Sequence, residues 1–352
     1  MKMPQRSTMN TGLARLSLSW GNLSSVDRLV IIADDEMHGI ATQLAEANEP
    51  HVRDVHIINI HQLARDLGVP ASHHAKVLPS VQESINRLLP TDMLVVFVGI
   101  DTFIQQKYNQ VFAAFRKPAN LQAKYAFIRP VVTPKAFEEA ISTDPDMVDD
   151  LVAHYEKIPP ASRVRVQAKG GTDISFVVRA PHVIPYRITE TSTAVYLPPA
   201  ELYFGIEEGS AQGVIVADIT VGELRVYADL LDPLGLVDKP VRINVREGKI
   251  TSIEGGDIAA RLEKHLALLD DSCRMVIELG IGLSSVRPTG IIGIDESMAG
   301  TCHFGIGNSL GYGGTNDAPI HLDVVVDAFS LSVLGGSCTK EVGCEDEDSA
   351  EE

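Results

Sequence analysis

ELGIG (residues 278–282), DESMAGTCHFGIGNSLGYGG (295–314) and PIHLDVVV (319–326) set acids and imidazoles among glycines and β-branched residues, where an ordinary core carries apolar side chains. In the last of these, the alternation from His321 to Val326 predicts a β-strand, and its period of two sets His321 and Asp323 on one face. Glu278 follows the apolar run Met275-Val276-Ile277 and precedes Gly280 and Gly282, which suits a carboxylate at a strand end facing a cleft. His303 lies between Cys302 and Phe304 in a second strand-like segment, bounded by Gly300 and Gly305. Two carboxylates and two imidazoles buried together without a cation would cost several kcal/mol per unpaired charge, so the set points to a metal or catalytic site.

Around that stretch the texture is β. Residues 163–167 and 173–178 alternate on either side of a Gly170-Gly171 turn, and residues 214–218, 241–245 and 249–253 continue the series. Arg246-Glu247-Gly248 makes a tight hairpin between the last two. Ile258, Leu262, Leu266 and Leu269 recur at helical spacing. Residues 161–340 therefore read as an α+β, antiparallel-rich metal-binding domain that carries every candidate ligand. Upstream, apolar strands at 28–35, 54–60, 93–99 and 124–129 alternate with helices at 40–45, 81–89 and 134–155. That pattern predicts a doubly wound α/β domain with a mostly parallel sheet over residues 1–160. The boundary is expected at 158–162, where Pro159 and Pro160 interrupt the helix pattern. Residues 1–26, with Trp20, read as a polar arm or a first short helix, and 341–352, with seven acids, as a solvated acidic tail that does not pack.

The 352 residues carry a net charge of −17, which argues against nucleic acid as a partner, because phosphates favour the opposite sign. Cys273, Cys302, Cys338 and Cys344 show no CxxC spacing, which argues against a zinc knuckle or disulfide framework and fits a reduced, cytoplasmic setting. No apolar stretch approaches the length of about 18 residues that a membrane helix needs, and the first residues hold no apolar h-region. Neither a membrane span nor a signal peptide is expected. No GxGxxG follows the first strand, so a Rossmann-type dinucleotide site is not expected either. Asp34, Asp35 and Glu36 at that strand's end read as solvated acids, and His73-His74 as part of a surface loop.

IELGIG, DESMAGTCHFGIGN, GYGG and PIHLDVVV resemble the C-terminal motifs of the aminopeptidase T and aminopeptidase S family, the thermophilic aminopeptidases, which are two-metal exopeptidases. GTDI at 171–174 resembles that family's GTDL, and Glu201-Leu202-Tyr203 with EGSAQG at 208–213 resembles its glutamate-bearing segment and the turn after it. The resemblance spans residues 165–335 and implies metal ligands at Glu201, Glu278, His303, His321 and Asp323, and a homodimer or larger assembly. In one place the chain departs from that pattern: where the family has a tyrosine after the first histidine, it has Leu310, with Tyr312 two positions on.

Five ligands drawn from Glu, His and Asp suit Zn, Mn, Co or Fe(II), and five protein ligands suit two ions, with Glu278 or Asp323 bridging them. Such a pair activates a shared water against a polarised carbonyl. Glu278 and Glu296 are the expected catalytic carboxylates, with Glu296 as the proton shuttle, and Arg287 is a candidate to neutralise a substrate carboxylate or to sit in a surface ion pair. The expected function is a metal-dependent hydrolase, an aminopeptidase acting on small peptides or amino-acyl substrates, with an aromatic aminohydrolase as a close variant. The alternative is a mononuclear Fe(II) ring-cleaving enzyme, because the 2,5-dihydroxypyridine dioxygenases resemble the same C-terminal scaffold. His303, His321 and Asp323 would then form the facial triad. That resemblance implies a histidine where this chain has Glu278, and no equivalent of His303. A third reading is a binding protein on an inactivated fold, which would take up no metal.

Overall fold

The computed structural model describes residues 26–68, 78–99, 121–128, 139–189, 192–197, 199–227, 229–335 and 341–342. Most of the expected polar arm, the His73-His74 loop, Cys338, Cys344 and the tail beyond Val342 lie outside the described residues. The chain forms two compact units, Met1–Val148 with Ile184–Ala200, and Asp149–Val183 with Glu201–Glu352. The sequence suggests one crossing near residue 160, but the chain crosses three times, and Pro159-Pro160 belong to a turn inside the second unit, with Ala161 at φ 63.

The first unit is built on β1 (Arg28–Ala33), β2 (Asp54–Asn59), β3 (Asp92–Phe97) and β4 (Lys124–Ile128), with β7 (Ala194–Leu197) added when the chain returns. All pairings are parallel, in the order β2-β1-β3-β4-β7. A parallel sheet is covered on both faces, which is why β1 and β3 read as unbroken apolar runs. Val30, Ile32, Leu94, Val96 and Tyr125 pack with Ile60 and Ala64 of α2 (Ile60–Asp66) and with Val81 and Ile85 of α3 (Leu78–Asn86). The helix α1 (His38–Asn48) begins just past β1. Asp34 departs from its reading as a solvated acid: it is buried and accepts hydrogen bonds from Met37 N (3.0 Å) and Gly99 N (2.7 Å), which ties the ends of β1 and β3 together. Asp35 and Glu36 are exposed. The described part of the expected 134–155 helix includes α4 (Pro145–Tyr155).

The second unit holds β5 (Arg163–Ala168), β6 (Asp173–Val183), β8 (Glu201–Ile206), β9 (Gln212–Ala217), β10 (Thr220–Val221), β11 (Leu224–Val226), β12 (Asp229–Asp232), β13 (Gly235–Leu236), β14 (Val241–Arg246) and β15 (Lys249–Glu254). It continues with α5 (Asp257–Leu266), β16 (Val276–Gly282), α6 (Ile292–Asp295), β17 (Thr301–Gly307), β18 (His321–Asp327), β19 (Phe329–Leu334) and β20 (Glu341–Val342). Among the described residues, thirteen of these strands form one antiparallel sheet. Its main path runs β13-β10-β18-β17-β16-β8-β6-β5-β19-β20. The hairpin between β14 and β15 turns at Glu247 and Gly248, both at positive φ, as the Glu-Gly pair predicts. Glu341 and Val342 pair with β19, so the first two residues of the expected unpacked tail are strand.

Across the middle of this sheet, one face is entirely apolar. Leu202, Phe204 and Ile206 of β8, Leu279 and Ile281 of β16, Cys302, Phe304 and Ile306 of β17, and Leu322, Val324 and Val326 of β18 are all buried. The intervening residues point the other way and carry the polar side chains.

Candidate metal centre

Four adjacent strands hold the five expected ligands: Glu201 on β8, Glu278 on β16, His303 on β17, and His321 and Asp323 on β18. Directly opposed residues of antiparallel strands share a face. Gly205, Glu278, Gly305 and Asp323 form one such row; Tyr203, Gly280 and His303 form the next; Glu201 faces Gly282. The register shifts between Val276 and Glu278, so that Val276 opposes Ile306 while Glu278 opposes Gly305. Glu278 alternates with Leu279 and Ile281 and so faces away from the apolar side, and the bulge lets Val276, two residues earlier, face that apolar side.

Glycines make the room these side chains occupy. A methyl group at Gly305 would lie 2.6 Å from Glu278 Oε2 and 3.2 Å from Asp323 Oδ1. One at Gly280 would overlap the His303 ring, 2.8 Å from Cδ2 and closer still to Nε2 and Cε1. Ligand side chains therefore fill the space above glycines of the neighbouring strands.

His303 Nε2 is 2.8 Å from Glu201 Oε2 and 4.0 Å from Glu278 Oε1. His321 Nε2 is 3.4 Å from Glu278 Oε2 and 3.2 Å from Asp323 Oδ1. Two donor groups result, Glu201 with Glu278 and His303, and Glu278 with His321 and Asp323, each with its ligand atoms within 4.8 Å of one another. Glu278 belongs to both. It and His303 are each 1% exposed, yet Glu278 Oε2 and His303 Nδ1 have no hydrogen-bond partner. Buried polar atoms are seldom left so, and a cation among them would satisfy the carboxylate oxygen.

The charges strain in the same direction. Burial, opposed by His321 and reinforced by the charges of Glu201 and Asp323, pushes the Glu278 carboxyl above the ordinary carboxylate range. Burial disfavours a charged His303, but Glu201, with help from Glu278 and Asp323, outweighs it and holds the imidazole at about 10. These are protons that a divalent cation would displace.

Tyr312 borders the second group. Its ring stacks on His321 with centroids 5.2 Å apart and planes 2° apart, and its hydroxyl is 3.2 Å from His321 Nε2. Burial first, then the charges of Glu278, Asp323 and Glu201, raise its pKa, so the phenol keeps its proton. Leu310 is 54% exposed, and the aromatic ring that stacks on His321 is that of Tyr312. Tyr203 packs edge-on against Tyr312 at 5.1 Å, and His182 stacks on Tyr203 at 5.3 Å. Glu208 anchors the loop that carries Tyr312, accepting hydrogen bonds from Thr315 N (2.6 Å), Thr315 Oγ1 (2.7 Å), Asn316 N (2.9 Å) and Ser309 Oγ (2.5 Å). Burial alone would raise its pKa, and these four donors overcome that and hold it at about 2.

Neither donor group includes Glu296, which is buried at the C-terminal end of α6. Its neighbour Asp295 accepts from Thr289 N (2.7 Å), Thr289 Oγ1 (2.9 Å) and Gly290 N (2.8 Å), a staple for the loop before α6. Arg287 is exposed. Tyr203, Tyr312 and Glu208 were not singled out by the sequence reading for these contacts, although Tyr203, two residues past Glu201, shares its face by period two.

A protein family described as NicX: 2,5-dihydroxypyridine 5,6-dioxygenase matches residues 12–341. The chain belongs to this family. The NicX fold is also seen in two solved structures. The 2,5-dihydroxypyridine dioxygenase from Pseudomonas putida KT2440 aligns with a TM-score of 0.61 at 15% identity, over 94% of this chain and 95% of that one. AmpT from Thermus thermophilus aligns with a TM-score of 0.57 at 14% identity, over 96% of this chain and 98% of that one. At such identities the likeness establishes the fold alone. No curated protein matches the sequence. Among the described residues, no helix is long and apolar enough to cross a membrane.

Proposed function

We propose that this NicX-family chain is a two-metal hydrolase that cleaves an amide next to a free amino group in a small amino-acyl substrate. One observation carries the reading: Glu278 stands in both donor groups, which is the position of a carboxylate shared by two cations. The donor set fits such ions. Three carboxylates and two imidazoles are hard-to-borderline ligands suited to Zn, Co or Mn. Glu201, Glu278 and His303 would hold one ion, and Glu278, His321 and Asp323 the other. When bound, such a pair polarises a carbonyl and lowers the pKa of a water towards about 7. The chain's own residues prepare that step. The glycine rows admit the ligands, Tyr312 packs along His321 and keeps a phenolic proton to donate, and Glu208 fixes the loop from which Tyr312 projects.

The family itself favours a second reading, a mononuclear Fe(II) ring-cleaving dioxygenase. Its facial triad of two histidines and a carboxylate would need His303 beside His321 and Asp323, and His303 falls in the other donor group. Metal analysis of the purified protein separates the two, together with assays of amino-acyl amides and of dihydroxypyridines in air and under argon. Two ions per chain and chelator-sensitive amide cleavage without oxygen uptake are expected. One iron with oxygen consumption would establish the dioxygenase instead, and full amide cleavage by Glu278→Ala or His321→Ala would overturn the site.

A further inference from the structure

We infer that Arg179 forms an anion subsite beside the metal centre, so that the substrate class is a small molecule carrying a carboxylate in addition to its reacting group. Arg179 lies on β6 where the register with β8 shifts, between Val178, opposite Ile206, and Pro181, opposite Phe204. Its stem lies against Gly205 and Gly313: a methyl at Gly205 would come within 3.0 Å of Arg179 Cδ, and one at Gly313 within 3.5 Å. Gly205 is the residue directly opposite Glu278. Arg179 therefore sits on the ligand side of the sheet, about two strand spacings, roughly 10 Å, from Glu278. Gly313 follows Tyr312, so Arg179 also borders the anchored loop.

What marks Arg179 is its lack of a partner among the described residues. The arginines 28, 65, 165, 225, 261 and 274 each make an ion pair with a carboxylate, in a chain with 47 acids and 30 bases. Arg179 makes neither an ion pair nor a side-chain hydrogen bond among the described residues, and its Nε is buried without a partner. A guanidinium is permanently charged and presents a planar fork of donors matched to a carboxylate. The carboxylates nearest along the sheet, Glu278, Glu201 and Asp323, belong to the donor groups, and none of them lies within 4.0 Å of it. An exogenous carboxylate reaching from the metals towards β6 would meet that fork.

The inference rests on the two-metal reading for the position of the reacting group, and its test is chosen so that each can fail alone. The probes are glutarate, with two carboxylates, and butyrate, with one, titrated calorimetrically into the metal-loaded protein. One carboxylate of either acid is free to engage the metals; only glutarate has a second for Arg179. Charge-assisted hydrogen bonds of this kind predict at least tenfold tighter binding of glutarate than of butyrate. Arg179→Gln is expected to bring the two within threefold, and Arg179→Lys to keep part of the difference. Because Arg179 has no ion-pair or side-chain hydrogen-bond partner among the described residues, both variants should melt close to the wild type. An equal affinity for the two acids in the wild type, or a glutarate advantage that survives Arg179→Gln, would overturn the subsite. A glutarate advantage in a protein that cleaves no amino-acyl amide would leave the subsite standing and remove the hydrolase.

Discussion

The glycines offer a way to unmake the centre without touching a ligand. In Gly305→Ala the new methyl would stand 2.6 Å from Glu278 Oε2, 2.8 Å from Glu278 Cβ and 3.2 Å from Asp323 Oδ1. Restoring an ordinary contact of 3.4 Å to the carboxylate oxygen requires a displacement of about 0.8 Å, and the close Cβ prevents Glu278 from giving way by rotation alone. Metal–ligand distances tolerate roughly 0.2 Å, so the displacement is several times what a coordinated carboxylate absorbs. Misplacing a supporting group costs about 10- to 100-fold in metal affinity, and misplacing the shared ligand should reach the upper end for both ions. Gly280→Ala strikes differently, since the three atoms nearest its methyl all belong to the His303 ring. The expected stoichiometries by elemental analysis after dialysis are two ions for the wild type, one for Gly280→Ala and none for Gly305→Ala. Gly311→Ala is the control, for nothing lies within 4 Å of a methyl there. Overpacking will lower stability by about 1–3 kcal/mol in the first two variants, so folding is followed in parallel by circular dichroism. Gly305→Ala protein that is folded and still binds two ions with wild-type affinity would show that Glu278 is not shared.

Glu208→Gln should loosen the Tyr312 loop. The drop from 4.5 to about 2 corresponds to roughly 3 kcal/mol, which solvent screening of a partly exposed carboxylate reduces to about 1–2 kcal/mol. Because the folded pKa is depressed, this contribution is complete above the unfolded value near 4.5 and disappears as the pH falls through about 2. Urea titrations of both proteins at pH 7, 4 and 2.5 test it; a gap that does not shrink with acid would remove Glu208 from the account. Tyr312→Phe keeps the ring against His321 and deletes the hydroxyl, so metal content should stay at the wild-type value while amide turnover falls by about tenfold. Loss of metal in that variant would make Tyr312 a ligand support rather than a donor. Free metal at about 100 times its dissociation constant should add roughly 2.7 kcal/mol to stability, seen as a higher melting midpoint that a chelator reverses. An unchanged midpoint would favour the inactivated binding protein.

The grouping of the five candidate ligands is legible in the sequence, and the reason is local. His321-Leu322-Asp323 states its own face through period two, and the Glu278 and His303 segments repeat the device with glycines in the alternate positions. What escaped is non-local. The bulge that turns Val276 to the apolar face depends on the register of β16 against β17, and no property of Val276-Ile277-Glu278 announces it. The return of residues 184–200 to the first unit depends on a four-residue strand pairing with β4, too short to carry a pattern. Asp34 looked solvated because its partners, Met37 N and Gly99 N, are backbone amides that composition does not show. Glu296 stood out only as a remaining acid in Asp295-Glu296-Ser297, and nothing in that stretch shows that the adjacent Asp295 holds the loop together.

The division between sheet and loop also bears on how one fold serves different chemistries. The five donors stand on strands whose other face is solid hydrocarbon, so their positions are fixed by the core and cannot drift without disrupting it. Tyr312 sits on a short anchored loop and Arg179 at a register shift, places where a side chain can change with little cost to packing. A dioxygenase and AmpT share this fold with the chain at 14–15% identity, so the fold cannot choose the reaction. The choice must lie in which donors fill the glycine-lined face and which groups border it. Here a carboxylate at 278 and an imidazole at 303 complete a second donor group around a shared glutamate, and that pairing, rather than the scaffold, argues for two ions and hydrolysis.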